Sequence, residues 1–353
     1  MSLPSSTAPV PLNGGYGDLT LEIRARGLLR PRRRFYVLLG SVNLFALSLI
    51  VACMVLWRDS WWLILLAPVL AVVSTQIAFF SHDAAHRQIT HRSRAVAALC
   101  LFHGNLLNGL SYGWWRAKHN AHHANPNDLD TDPDVAVGAF IFDADQASER
   151  KGGAAWLTRH QAVLFFPMLT LEAFNLHIVS VRGLLRPGVR YRKTEALLLL
   201  AHFALYAALL ISTLTWAQGL VFLAVHQALF GLYLGCSFAP SHKGMPVLSP
   251  DEAADPLLRQ VLASRNIRGG TLLDFGLGGL NLQIEHHLFP SMPRPNLRRA
   301  QPIVENHCHQ RGISYSEATL LGAYGLGLRH LHEVGAPLRA AIPESGPRGV
   351  RTS

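Results

Sequence analysis

The chain has 353 residues, half of them apolar and only 15% charged, with a formal charge of +10 and four cysteines. So apolar a composition argues against an ordinary soluble protein and points to membrane segments. Cys53, Cys100, Cys236 and Cys308 are widely spaced and form no C-x-x-C, which excludes a disulfide framework, an iron–sulfur motif and a thiolate zinc site.

In chain order, residues 1–20 are Pro, Ser and Gly-rich and read as a disordered tail, with 1–30 as the tail and the entry to the membrane. Apolar runs follow at 35–57, 61–80, 195–215 and 217–239, each close to the roughly 20 residues that cross a bilayer. They read as two hairpins with very short turns. Trp57, Trp61, Trp62 and Trp216 sit at those turns, where an aromatic belt is expected. Of the 32 Lys and Arg, all but Arg58 fall on one side of that topology. The positive-inside rule then puts both termini and the long loops in the cytoplasm. The positive charge is thereby explained by topology, and nucleic acid is dropped as a partner. Two weaker apolar segments, 95–112 and 161–180, read as interfacial or half-buried helices, because letting either cross worsens the charge asymmetry. The expected fold is an all-α integral membrane protein with four transmembrane helices in two hairpins and a cytoplasmic helical cap. Its membrane domain covers 31–315, and a C-terminal extension and flexible tail cover 316–353.

Histidine is the compositional outlier, with 18 copies. SHDAAH places His82 and His86 at i, i+4. KHNAHHANPN places His119, His122 and His123 at i, i+3, i+4, and QIEHH repeats that spacing with Gln283, His286 and His287. On a helix such positions share one face. A lone His-x-x-x-His is weak, being more often surface or hydrogen-bonded histidine. Three matched clusters on one side of a membrane make a metal cage. A zinc protease would need H-E-x-x-H, whereas Asp83 holds the Glu position. A ferritin-like di-iron site would need Glu-x-x-His pairs, and the sequence has none. Imidazole suits iron, copper, nickel and zinc alike, but seven neutral ligands are about right for two ions. A histidine-only pair of irons at a membrane surface points to dioxygen chemistry on a greasy substrate.

The chain resembles the membrane-bound fatty acid desaturases, which carry H-x-x-x-H, H-x-x-H-H and H/Q-x-x-H-H in this order. The match extends through WWRAKHNAHHANPNDLDTDPD (114–134) and NLQIEHHLFPSMPRPNL (281–297) and spans roughly 30–315. That family supplies a further ligand between the second hairpin and the third box, and SFAPSHKGMP offers His242 there. The resemblance therefore implies His82, His86, His119, His122, His123, His242, His286 and His287 as ligands of two irons, with dioxygen as co-substrate. Gln283 gives the third box the form typical of, though not confined to, front-end desaturases, and could accept a hydrogen bond, bind iron weakly or leave a position open.

Carboxylates beside the boxes could orient ligand imidazoles. Asp83 and Asp134 are favoured for this, ahead of Asp130, Asp132 and Glu285. His202 and His226 lie within membrane runs, and His226 is about 24 Å of helix from His242, too deep for the same cage. Hydrogen bonding inside the bundle or lining an acyl tunnel is expected of it. His307, His309, His330 and His332 read as surface residues, and Trp114 and Trp115 as interfacial anchors or flanks of a substrate entrance.

The resemblance implies an oxygen-dependent fatty acyl desaturase, acting on an acyl-lipid or acyl-CoA and introducing a cis double bond. A lipid or carotenoid hydroxylase or oxygenase on the same scaffold is the alternative, and a non-catalytic membrane haem electron carrier the alternative of another class. No H-P-G-G haem signature or dinucleotide-binding glycine fingerprint occurs, so the electrons are expected from a separate ferredoxin or small haem protein with its NAD(P)H reductase.

Overall fold

The computed structural model describes residues 15–246 and 248–340. Helix α1 (Gly15–Ala25) precedes α2 (Arg33–Leu56), whose 24 residues hold no proline and stop at Trp57. Asp59 turns the chain with a φ of 61°. A short 3₁₀ turn, Trp61–Leu65, is started by Ser60, whose side chain accepts from the Trp62 amide, and leads into α3 (Leu66–Ala85). Next come α4 (Ser93–Cys100), a π-helical turn Leu101–Leu107, and α5 (Tyr112–Ala124). The stretch up to the third long helix is built of short pieces: α6 (Ala144–Ser148), α7 (Gly152–Arg159), α8 (Gln161–Leu169) and α9 (Glu172–Gly183). Then follow α10 (Arg192–Thr213) and α11 (Trp216–His242), the latter opened by a Thr215–Gln218 capping box.

Beyond them lie α12 (Pro250–Ala254), α13 (Pro256–Leu262), α14 (Thr271–Gly276), α15 (Gln283–Leu288), α16 (Arg294–Gln310), α17 (Leu320–Val334) and α18 (Ala336–Ala340). The strands β1 (Asn266–Ile267) and β2 (Glu317–Ala318) pair in parallel, Asn266 opposite Glu317.

Among the described residues, four helices are long and apolar enough to cross a membrane: Arg33–Leu56, Trp61–Ala85, Arg192–Thr213 and Trp216–His242. Val37, Phe45, Leu56, Leu65, Leu197, Leu205 and Ile211 point outward from them as exposed apolar surface, which only lipid covers without penalty. The two short connections meet at one end, where the Asp59 amide donates to Thr213 O (2.9 Å) and Gln218 Nε2 to Asp59 O (3.0 Å). Trp57, Trp61, Trp62 and Trp216 are exposed at that same end. The two weaker apolar segments form no straight span. One is α4 with the π turn, and the other is α8 and α9, bent by 71° at their junction.

Two sequence expectations are corrected. Residues 15–25, read as tail, form a helix: Leu19, Ile23 and Leu28 are buried against Ile284, Leu288, Phe289 and Leu297, and Tyr16 OH donates to Leu288 O (2.5 Å). Its apolar face at i, i+4 is what a composition-weighted reading of 1–20 overlooked; residues 1–14 and 341–353 lie outside the described residues. The second and fourth runs are also longer than their apolar cores. Helical hydrogen bonding continues through SHDAA and PSH, so His82 and His242 ride on the last turns of α3 and α11 rather than beyond them.

Candidate metal centre

Each histidine cluster is delivered by a different local device. α3 carries His82, and His86 caps its C-terminus. α5 carries His119, His122 and His123, and is started by Ser111, whose side chain accepts from the Trp114 amide. The same N-terminus is held by Glu195 of α10, fully buried, which accepts from Ser111 Oγ (2.6 Å), Asn105 Nδ2 (3.2 Å) and the Gly113 amide (3.2 Å). Glycine at 113 lets that carboxylate approach, since a Cβ there would lie 2.8 Å from Glu195 Oε1 and push the side chain away. α15 carries Gln283, His286 and His287, and its start is tied to β1 by the Ile284 amide donating to Asn266 Oδ1 (3.0 Å).

Seven of the eight predicted ligand histidines converge in two groups, with His123 beside both. The ligand nitrogens of His82, His86, His119 and His286 lie within 4.8 Å of one another, as do those of His122, His242 and His287. His123 joins them: its Nε2 is 3.0 Å from His119 Nε2, and its ring stacks on that of His287 at 4.3 Å. His86 Nε2 and His119 Nε2 stand 2.8 Å apart.

Burial, reinforced by the neighbouring imidazoles, pushes His86, His119, His123, His286 and His287 well below the ordinary imidazole pKa. Five adjacent rings whose charged form is disfavoured suit a set of neutral donors better than a cationic patch.

The other ring nitrogens fix the tautomers. His82 Nδ1 faces Asp83 Oδ1 (3.1 Å), and His122 Nδ1 faces Asp132 Oδ2 (2.9 Å). His242 Nδ1 faces Ala263 O (3.1 Å), and His287 Nδ1 faces Gln260 Oε1 (2.9 Å). With Nδ1–H donated to each of these oxygens, the Nε2 lone pair is left free. The Nε2 atoms of His82, His286 and His287 are buried with no partner, a costly state for a polar atom unless a cation fills it. The residues present therefore fit a metal, and the donor set of buried neutral imidazoles fits iron among the candidates.

The carboxylates sort differently from the expectation. Asp83 does meet one of the clustered histidines, His82. Around His122 it is buried Asp132 that makes the short contact; Asp134 stands at 3.5 Å and is ion-paired with Lys118. Asp130 is exposed, its amide accepted by Asp128. Glu285 touches no ligand ring: it accepts from Tyr315 OH (2.6 Å) and Asn266 Nδ2 (2.8 Å), and burial pushes its carboxyl up to about 7. In a short helix its neighbours point into the histidine cluster while it points at the β1 side. Gln283 enters the second group, with Nε2 2.9 Å from His242 Nε2 and Oε1 buried without a partner.

Outside the centre, His226 meets Tyr206 OH (2.8 Å) and Ser74 Oγ (3.3 Å), and His202 meets Leu106 O (2.9 Å), so both serve the bundle's own hydrogen bonding. His307, expected at the surface, is buried beside Arg311. Sequence reasoning missed Arg294, whose Nε donates to Asp83 Oδ2 (2.9 Å) and whose amide is accepted by Tyr36 OH and Gln88 Oε1 (both 3.1 Å). It also missed Gln260, Asn266, Tyr315 and Glu195. The one available signal was PSMPRP directly after the third box, a rigid loop carrying a single cation.

The profile of the fatty acid desaturase family matches residues 59–319, and the chain belongs to that family. It is similar to an acyl-lipid (9-3)-desaturase of Physcomitrium patens, 30% identical over 87% of this chain and 60% of the relative. A Borago officinalis protein of the same description is 30% identical over 75% of this chain and 62% of the relative. The Delta(6)-fatty-acid desaturase fat-3 of Caenorhabditis elegans is 27% identical over 79% and 66%. The chain thus spans about 60% of the length of the first relatives it matches.

Proposed function

We propose that this chain is an oxygen-dependent fatty acyl desaturase that introduces a cis double bond through two irons. His82, His86, His119 and His286 hold one; His122, His242 and His287, with Gln283 beside them, hold the other; His123 stands between. The carrying observation is the convergence of histidine nitrogens from α3, α5, α11 and α15, with the Nε2 atoms of His82, His286 and His287 buried and unpartnered. The relatives' printed activities, on acyl-lipids and at the Delta(6) position of fatty acids, support an acyl substrate.

Iron bound there supplies the reduction of dioxygen to two waters, using two electrons and two protons from outside and two hydrogens from adjacent methylenes. The protein's part is positioning. Asp83, Asp132, Ala263 O and Gln260 hold four imidazoles in the tautomer that presents Nε2. Trp115 stacks on His119 at 4.4 Å and meets the His82 ring at 5.5 Å, and Phe238 meets His82 at 6.4 Å. These apolar rings border the first group and keep water from the methylene pair presented there. Depth of the chain along them then decides which carbons react. The four long helices form two hairpins under a helical cap. Both termini and the centre face the cytoplasm, opposite the tryptophan-lined turns. Electrons arrive from a ferredoxin or small haem protein with its NAD(P)H reductase.

The test combines metal content of the detergent-purified protein with lipid profiling in a host that supplies the reductase. About two irons per chain and products lighter by two hydrogens are expected. Both signals should be lost in His286→Ala, where one ligand of the first group is missing. Products heavier by one oxygen would make the enzyme a hydroxylase, and zinc retained after iron supplementation would remove the redox chemistry.

A further inference from the structure

A cleft of about 760 Å³ opens where α2 begins, lined by Pro31, Arg32, Arg33, Arg34, Phe35 and Pro295. Its charge is of one sign: three consecutive guanidiniums and no carboxylate. Arg32 is anchored, its Nε donating to Asn296 Oδ1 (2.9 Å). Arg33 and Arg34 are exposed and make no ion pair or side-chain hydrogen bond among the described residues. Adjacent cations without a counter-ion repel one another, and an anion with several oxygens relieves that repulsion through the forked donors of arginine.

The cleft's height narrows the ligand. Val37 and Leu38, 69% and 65% exposed, begin the outward apolar surface of the first spanning helix immediately after the arginines. The guanidiniums therefore stand at the level of lipid headgroups. Pro31, Phe35 and Pro295 give the cleft apolar walls that water and free phosphate do not need and a glycerol backbone does. We propose that this cleft binds the phosphate-bearing headgroup of an anionic phospholipid from the leaflet next to the metal centre. The site shares a wall with the centre's support: Pro295 lies between Asn296, which holds Arg32, and Arg294, which pairs with Asp83.

Native mass spectrometry of the detergent-purified protein, titrated with phosphatidylglycerol or phosphatidylcholine in the micelle, reads the site directly. One phosphatidylglycerol should be retained per chain and phosphatidylcholine should not. Arg33→Gln/Arg34→Gln should weaken retention about 25-fold, each arginine near the surface contributing a factor of about 5. Arg33→Lys/Arg34→Lys preserves the charge that orients the helix and should stay within about fivefold. A charge-matched control, Arg182→Gln/Arg190→Gln, alters exposed cations away from the cleft and should leave retention unchanged. Equal losses in the Gln pair and this control would reduce the effect to diffuse attraction and overturn the site. Binding of inorganic phosphate in place of the lipid would overturn the headgroup assignment.

Discussion

Replacing Arg294 by methionine is the sharpest test of how the centre is held. Asp83 is 1% and Arg294 6% exposed. Asp83 Oδ2 accepts from Arg294 Nε at 2.9 Å and lies 2.8 Å from a second guanidinium nitrogen, while Oδ1 faces His82 Nδ1 at 3.1 Å. Met fills much of the volume but leaves the buried carboxylate with the imidazole N–H as its remaining partner. Breaking a buried pair from one side costs about 3–5 kcal/mol. A ligand that loses its orienting support loses roughly 10–100-fold in metal affinity. The double variant Asp83→Asn/Arg294→Met has no unpaired charge, so its stability loss should fall short of the two single losses added together. Thermal unfolding in detergent gives the stabilities, and titration of the metal-free protein with Co²⁺, followed optically, gives affinity without needing turnover. An Arg294→Met protein with unchanged midpoint and Co²⁺ affinity, or strictly additive losses in the double variant, would refute the reasoning.

Two further substitutions separate Asp132 from Asp134, which the sequence reading ranked in the opposite order. Asp132→Asn should cost about 10–100-fold in Co²⁺ affinity, because Asp132 makes the 2.9 Å contact to His122. Asp134→Asn should cost less than about fivefold, since its partner is the partly exposed Lys118; the reverse order would show that Asp134 orients the ring. Glu195→Gln replaces one acceptor oxygen by a donor against Ser111 Oγ, Asn105 Nδ2 and the Gly113 amide. It should lower stability by about 1.5–3 kcal/mol, and an unchanged melting midpoint would remove Glu195 from the support of α5.

What the sequence made legible follows from the range of the forces involved. The four spans could be read because a lipid-facing helix must be apolar residue by residue, and 35–57 meets that demand within its own length. The histidine clusters could be read because helical spacing puts His119, His122 and His123 on one face before any tertiary contact forms. Their supports were illegible for the complementary reason. Arg294 and Asp83 are 211 residues apart, Gln260 meets His287 across 27, and Glu195 meets Ser111 across 84. Such partners are chosen by the packed fold and leave no periodicity behind. The case of Asp132 and Asp134 shows how fine the gap is. Both lie in the same DTDPD stretch, in similar distance from His122 along the chain. What separates them is a turn in which Asp132 Oδ2 also accepts the Asn127 amide at 2.8 Å and Oδ1 the Asp134 amide at 2.9 Å. Those backbone donors bury Asp132 and aim it at the ring, and they leave Asp134 to Lys118. A histidine cluster is therefore announced by its own helix, whereas the group that orients each ring is selected by whichever backbone amides the surrounding turn leaves to be satisfied.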